Sequence, residues 1–180
     1  MIHRVAQIGA VGLVVALLGL LVVNLVRSNG GDVAREVDRG EIVLAPTFTR
    51  PRVDVDGTLS LESLRGKVVV LNFWQSYCPP CEREAPDLVL ASKRWADKDV
   101  VFVGIDVQDL RGKAREFLER FEITYPNVAD SGPLVGRYGV TGYPETFFID
   151  RQGRVVPPHI VGPATQEDLD EGIRKALASA

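Results

Sequence analysis

The chain predicts an α/β domain with a central mixed β-sheet flanked by helices, preceded by one N-terminal transmembrane helix. Three observations carry this. "KVVVLNFW" and "VVFVGIDV" are continuous apolar runs rich in β-branched residues, the pattern of strands covered on both faces. Each is followed by a segment of helical periodicity, the order of a parallel strand–helix–strand unit. Further on, "ETFFID", "RQG" and "RVV" read as two antiparallel strands around a turn at Arg151 to Gly153, which makes the sheet mixed.

At 180 residues the chain has room for one domain of ordinary size and a short extra segment. Between Arg4 and Arg27 there is no charged residue, and Val5 to Val26 is apolar except for Gln7 and Asn24. With a rise of about 1.5 Å per residue, this run is long enough to span a hydrocarbon core of about 30 Å. A cleaved signal peptide is the rival reading. Such peptides have apolar cores of roughly 7 to 15 residues and a small-residue cleavage site, whereas here the run is longer and "VRSNGGDV" offers no A-x-A pattern. Residues 1–27 are therefore expected to be a retained anchor. The arginines on its two sides do not settle its orientation.

Next, "RSNGGDVAREVDRG" is small, charged and glycine-bearing, and residues 28–43 read as a tether to a domain over 44–180. "RVDVDGTLSL" suggests a hairpin turning at Asp56-Gly57. From Cys81 to Trp95, Ala85, Leu88, Ser92 and Trp95 share one helical face with Pro86 inside the segment, predicting a kinked helix. Ala114, Phe117, Leu118 and Phe121 form the stripe of a second helix. Thr165 is placed to cap a last helix with Leu169, Ile173, Ala176 and Leu177 on one face. Beyond Arg27, 24 acidic side chains face 19 basic ones, a net charge of about −5 that disfavours nucleic acid as a partner.

The chemistry is concentrated in "FWQSYCPPCEREAP", which holds both cysteines, Cys78 and Cys81. As a structural staple the pair closes a very small loop, and stabilisation by chain entropy grows with loop length. A structural zinc site needs four ligands, and His3 and His159 are the only histidines. A soft copper ion is a further reading, since two thiolates and one histidine suit it. The remaining use is disulfide exchange. A cysteine between a buried strand and a helix falls at the helix N-cap, with Pro79 at the first helical position, where orphan amides and the helix dipole favour a thiolate. Cys81, one turn later, is then placed to resolve a mixed disulfide. A single-cysteine peroxidase leaves this second cysteine unexplained.

On these residues the chain resembles the membrane-anchored thioredoxin-like proteins of the ResA, TlpA and CcmG (DsbE) kind. The resemblance runs from "LAPTFT" at Leu44 to "HIVGP" at Pro163 and includes "GKVVVLNFWQSYCPPCEREAP", "VVFVGIDVQD" and "YGVTGYPETFFIDRQG". The last is similar to the GVxGxPETFxID pattern of the CcmG branch. The resemblance implies a thioredoxin-like fold, with Cys78 and Cys81 as a redox-active disulfide and no other cofactor or metal. It implies a cis-proline at Pro144 facing the pair, and a substrate groove formed by Trp74, Tyr77, Pro79, Pro80, Tyr143 and Pro144. Tyr77 departs from the family's usual tryptophan. Asn72 stands where cytoplasmic thioredoxins bury an aspartate, so Glu145 and Glu84 become the candidates for handling the proton of Cys81, with a solvated helix charge as the plain alternative for Glu84. His159 reads as structural. The implied function is reduction of apocytochrome c disulfides on the extracytoplasmic side of a cell membrane, recharged by a membrane electron donor of the CcdA or DsbD kind. General exchange with other exported proteins, and copper carriage, remain the rivals.

Overall fold

The computed structural model describes residues 18–20 and 33–179. The predicted anchor lies outside the described residues apart from 18–20, which are helical. Among the described residues no helix is long and apolar enough to cross a membrane. Residues 33–179 belong to one compact unit, Asp32–Ala180.

Its elements run α1 (Val33–Asp38), β1 (Val43–Leu44), β2 (Thr49–Pro51), β3 (Thr58–Ser60), a 3-10 turn (Leu61–Leu64), β4 (Val68–Trp74), α2 (Pro79–Trp95), β5 (Val100–Val107), α3 (Arg111–Arg120), β6 (Asn127–Asp130), α4 (Pro133–Tyr138), β7 (Glu145–Ile149), β8 (Arg154–Val161) and α5 (Gln166–Ala178). The main sheet has the order β1-β8-β7-β4-β5-β6. β4, β5 and β6 are parallel, whereas β7 is antiparallel to both β4 and β8. The mixed sheet is thus as the sequence predicts, with β7 and β8 joined by the turn over 150–153.

All seven residues of β4 are buried, because side chains alternate across a sheet covered on both faces. Val68 and Val70 join Leu88, Ala91 and Trp95 of α2 and Leu169 and Ile173 of α5. Val69, Leu71 and Phe73 face the opposite way, toward Val33 and Val37 of α1 and Leu134 and Tyr138 of α4. The same alternation turns Asn72 toward α2. A third cluster gathers Trp74, Cys78, Cys81, Ala85, Ala114, Phe117 and Leu118, which seats the cysteines on the packing between α2 and α3.

Three expectations change. Residues 33–38, read as tether, form α1, whose Val33, Ala34 and Val37 are buried in the core. Charge hides this helix in the sequence, and docking onto the sheet stabilises it. The hairpin is also displaced, since β2 and β3 pair Thr49 with Ser60 and Pro51 with Thr58. Residues 52–57 make its loop because Val53 leaves the ribbon, donating its N–H to the Asn127 carbonyl at 2.8 Å and burying its side chain. Finally, β6 and α4 carry no strong periodicity and are additions to the predicted order.

Gly104 of β5 has a steric reason. A Cβ there would overlap the Asn127 side chain, which accepts from Trp74 Nε1 at 3.0 Å. That bond, with Phe117 stacked on Trp74 at 4.5 Å between ring centroids, fixes the end of β4 just before the cysteines.

If α1 belongs to the folded unit, Val37→Ala removes two buried methyl groups and lowers stability by about 2 kcal/mol. Urea unfolding of the purified chain measures this, and a tether would show no change.

Candidate active site

Residues 75–77 connect β4 to α2. Cys78 is the N-cap of α2, in extended conformation, with prolines at the first two helical positions. An N-cap side chain ordinarily accepts from the amide of the second or the third helical residue. Here those residues are Pro80 and Cys81, and proline has no N–H. The Cys78 sulfur accepts from Cys81 N–H at 3.2 Å, so its helix terminus offers one candidate amide where a helix without proline at its second position offers two.

Cys78 and Cys81 are disulfide-bonded. Cys78 is 8% exposed and Cys81 2%, so the first cysteine is the more accessible of the two. Tyr77 beside it is 64% exposed, Pro79 is exposed, and Pro80 and Tyr143 are half-buried. These four are the members of the expected groove that keep exposed surface. Trp74 and Pro144, predicted to line it too, are buried. Trp74 is held beneath the site by Asn127 and Phe117, because the last residue of a doubly covered strand faces the core. The Tyr143–Pro144 bond is cis, and the Tyr143 carbonyl oxygen lies 3.4 Å from the Cys78 sulfur.

The two glutamates divide. Glu84, one turn beyond Cys81 on α2, is 1% exposed. It accepts from Asn72 Nδ2 at 2.9 Å and from Ala164 N–H at 2.9 Å. Burial raises its pKa from 4.5 to about 7, against the hydrogen bonds from Ala164, Asn72 and Thr146 that favour the charged form. It is no solvated helix charge. Near neutral pH its carboxyl is divided between the protonated and the charged form.

Glu145, next to Pro144, is fully buried. Its Oε1 accepts from Thr141 N–H, Thr141 Oγ1 and Gly142 N–H at 2.8 to 2.9 Å, and its Oε2 lies 2.9 Å from His159 Nε2. Burial acts to raise its pKa, but hydrogen bonds from His159, Thr141 and Gly142 outweigh it and hold the carboxyl below the usual range. Both oxygens are engaged and the group stays ionised, so the geometry assigns Glu145 to the loop over 141–144 where the sequence suggested proton transfer at Cys81.

Two acids escaped the sequence reading. Asp109 accepts from Ser76 N–H at 2.7 Å and so holds the loop before Cys78. Burial and the neighbouring Asp109 push Asp106 up to about 8. Their signal was an acid pair at the end of a buried strand parallel to β4, in "GIDVQD".

Comparison with known proteins agrees with this geometry. Residues 43–157 match the AhpC/TSA family. The chain belongs to that family. It is 33% identical over 133 residues to the thiol-disulfide oxidoreductase ResA of Bacillus thuringiensis, covering 73% of this chain and 75% of that protein. Among solved structures, a thiol:disulfide interchange protein of the thioredoxin family from Chlorobium tepidum superposes with a TM-score of 0.68 at 34% identity, covering 76% of this chain and 97% of that one. A secreted Mycobacterium tuberculosis disulfide oxidoreductase homologous to DsbE superposes with a TM-score of 0.61 at 28% identity, covering 74% and 96%. Within the AhpC/TSA family, then, this chain is a thioredoxin-like thiol-disulfide oxidoreductase with Cys78 and Cys81 as its C-x-x-C pair.

The folded-state pKa of Glu84 lies above its unfolded value, so the folded protein holds the extra proton and loses stability as pH rises from about 4.5 to about 7. At about 1.4 kcal/mol per unit, burying the charged form costs on the order of 3 kcal/mol. Glu84→Gln removes this dependence. Its urea midpoint relative to wild type is expected to move in the variant's favour between pH 5 and pH 8, and parallel pH profiles would show that Glu84 does not titrate there.

Proposed function

We propose that the protein is a membrane-tethered reductant of disulfides in exported proteins, acting on the extracytoplasmic side, with apocytochrome c as its client. The observation that carries the direction of electron flow is the single Cys81 amide at the Cys78 sulfur. Oxidants of this chemistry owe their power to a stabilised thiolate and hence a stabilised dithiol form. A cysteine short of one amide donor has a less stabilised thiolate, so its dithiol gives up electrons more readily. The uncharged run Val5 to Val26 supports the tether, and the compartment follows from where protein disulfides persist. The client assignment rests on the similarity of "YGVTGYPETFFIDRQG" to the CcmG branch.

In the proposed cycle the Cys78 thiolate attacks a client disulfide. One client sulfur becomes bonded to Cys78 and the other leaves as a thiolate, which takes a proton. Cys81 then loses its proton, with ionised Glu84 as the acceptor, and attacks the Cys78 sulfur. The Cys78–Cys81 bond forms, the second client sulfur leaves, and two electrons have passed to the client. A membrane electron donor of the CcdA or DsbD kind restores the dithiol. The cysteine pair is itself the redox group, and no further cofactor is assigned. Copper carriage is disfavoured because both ring nitrogens of His159 already face carboxylates.

Cys81→Ser removes the resolving thiol, so mixed disulfides accumulate on Cys78. Trapping in intact cells with the full chain is expected to capture apocytochrome c, and to depend on export of the domain. Capture of other exported proteins alone would replace the client, and capture of cytoplasmic proteins alone would overturn the location.

A further inference from the structure

His159 stands on β8 facing the carboxylate that holds the loop over 141–144. Between the pairings Thr146 with Ile160 and Phe148 with Val156, β8 accommodates two more residues than β7. Pro157 and Pro158 occupy this irregularity, where a strand tolerates prolines. The His159 ring stacks on Phe147 at 4.2 Å between centroids and 14° between planes, and its side chain is 2% exposed.

Its two nitrogens meet two acids. Nε2 lies 2.9 Å from Glu145 Oε2, and Nδ1 lies 3.2 Å from Asp38 Oδ1 of α1. A carboxylate can only accept, so hydrogen bonds on both sides require N–H on both ring nitrogens, which is the charged imidazolium. Burial opposes that charge, but Glu145 and Asp38 raise the His159 pKa above its ordinary value. The imidazolium in turn compensates the buried Glu145 carboxylate, whose other oxygen gathers the Thr141 and Gly142 amides. Those two residues lead directly into Tyr143, whose carbonyl oxygen meets the Cys78 sulfur.

We infer that His159 is a positioning residue for disulfide exchange: linked to Asp38 and Glu145, it holds the loop over 141–144 and thereby sets the Tyr143 carbonyl against Cys78. The inference rests on the exchange reading of Cys78. A side chain that touches no reacting atom therefore controls how the client disulfide is presented to the thiolate. Misplacement by an ångström or less is enough to slow such a reaction strongly.

The test uses the reduced full chain and a small aromatic disulfide as the probe, following the rate constant of the Cys78 thiolate after correction for its measured pKa. His159→Phe keeps the stacked ring and loses both N–H groups. It is expected to slow the reaction roughly tenfold, while His159→Gln, which keeps one donor toward Glu145, recovers part of the rate. Asp38→Asn changes a carboxylate that is 56% exposed and so serves if His159→Phe fails to fold. It should lower the His159 pKa, read from the ring proton resonances, and slow exchange above that pKa. Wild-type rates in a folded His159→Phe variant, or in Asp38→Asn with a displaced His159 titration, overturn the inference. A wild-type chain that does not react with the probe at all overturns the exchange reading instead.

Discussion

A sulfur at the first turn of a helix carries negative charge only as well as the surrounding N–H groups allow. In this chain the helix begins Pro79-Pro80, and the backbone supplies Cys78 with the amide of Cys81. Asp109 holds the strand-to-helix loop from one side, Tyr143 presents a carbonyl from the other, and neither adds a donor to the sulfur. On the proposed reading the helix terminus is the principal source of thiolate stabilisation in the reduced protein, and Pro80 weakens it.

Around this point the fold places two carboxyl groups in opposite electrostatic situations. Glu84 is buried among a few donors and is pushed to about 7, whereas Glu145 is buried among four donors and stays ionised. Burial is common to both, and the number and charge of hydrogen-bond donors separate them. One carboxyl is thereby suited to exchanging a proton and the other to holding a loop. The local motifs, E-A-P for Glu84 and P-E-T for Glu145, could not distinguish these roles.

Much of the frame was legible in the chain. β4, β5 and the β7–β8 pair announce themselves as apolar runs, and α5 by its Thr165 cap and apolar stripe. The cysteine site was legible too, since a C-x-x-C after a buried strand has few other uses. What escaped depends on partners far away in sequence. α1 is short and charged, and only its docking on the sheet shows that Val33 and Val37 are core. The burial of Glu84 depends on an amide 80 residues later, and the link from Asp38 to His159 spans 121 positions. α4 did leave a local mark, with Pro133 at its first turn and Gly139 in the left-handed conformation after its end.

The dependence of the thiolate on one amide is open to a direct measurement. Replacing Pro80 by alanine restores an N–H at the second helical position without disturbing the cysteines. The Cys78 pKa, from the pH dependence of thiolate absorbance or alkylation rate in the reduced protein, is expected to fall in Pro80→Ala relative to wild type. An unchanged pKa, or a wild-type value already near the strongly acidic extreme of about 3.5, would contradict the assignment of a reductant.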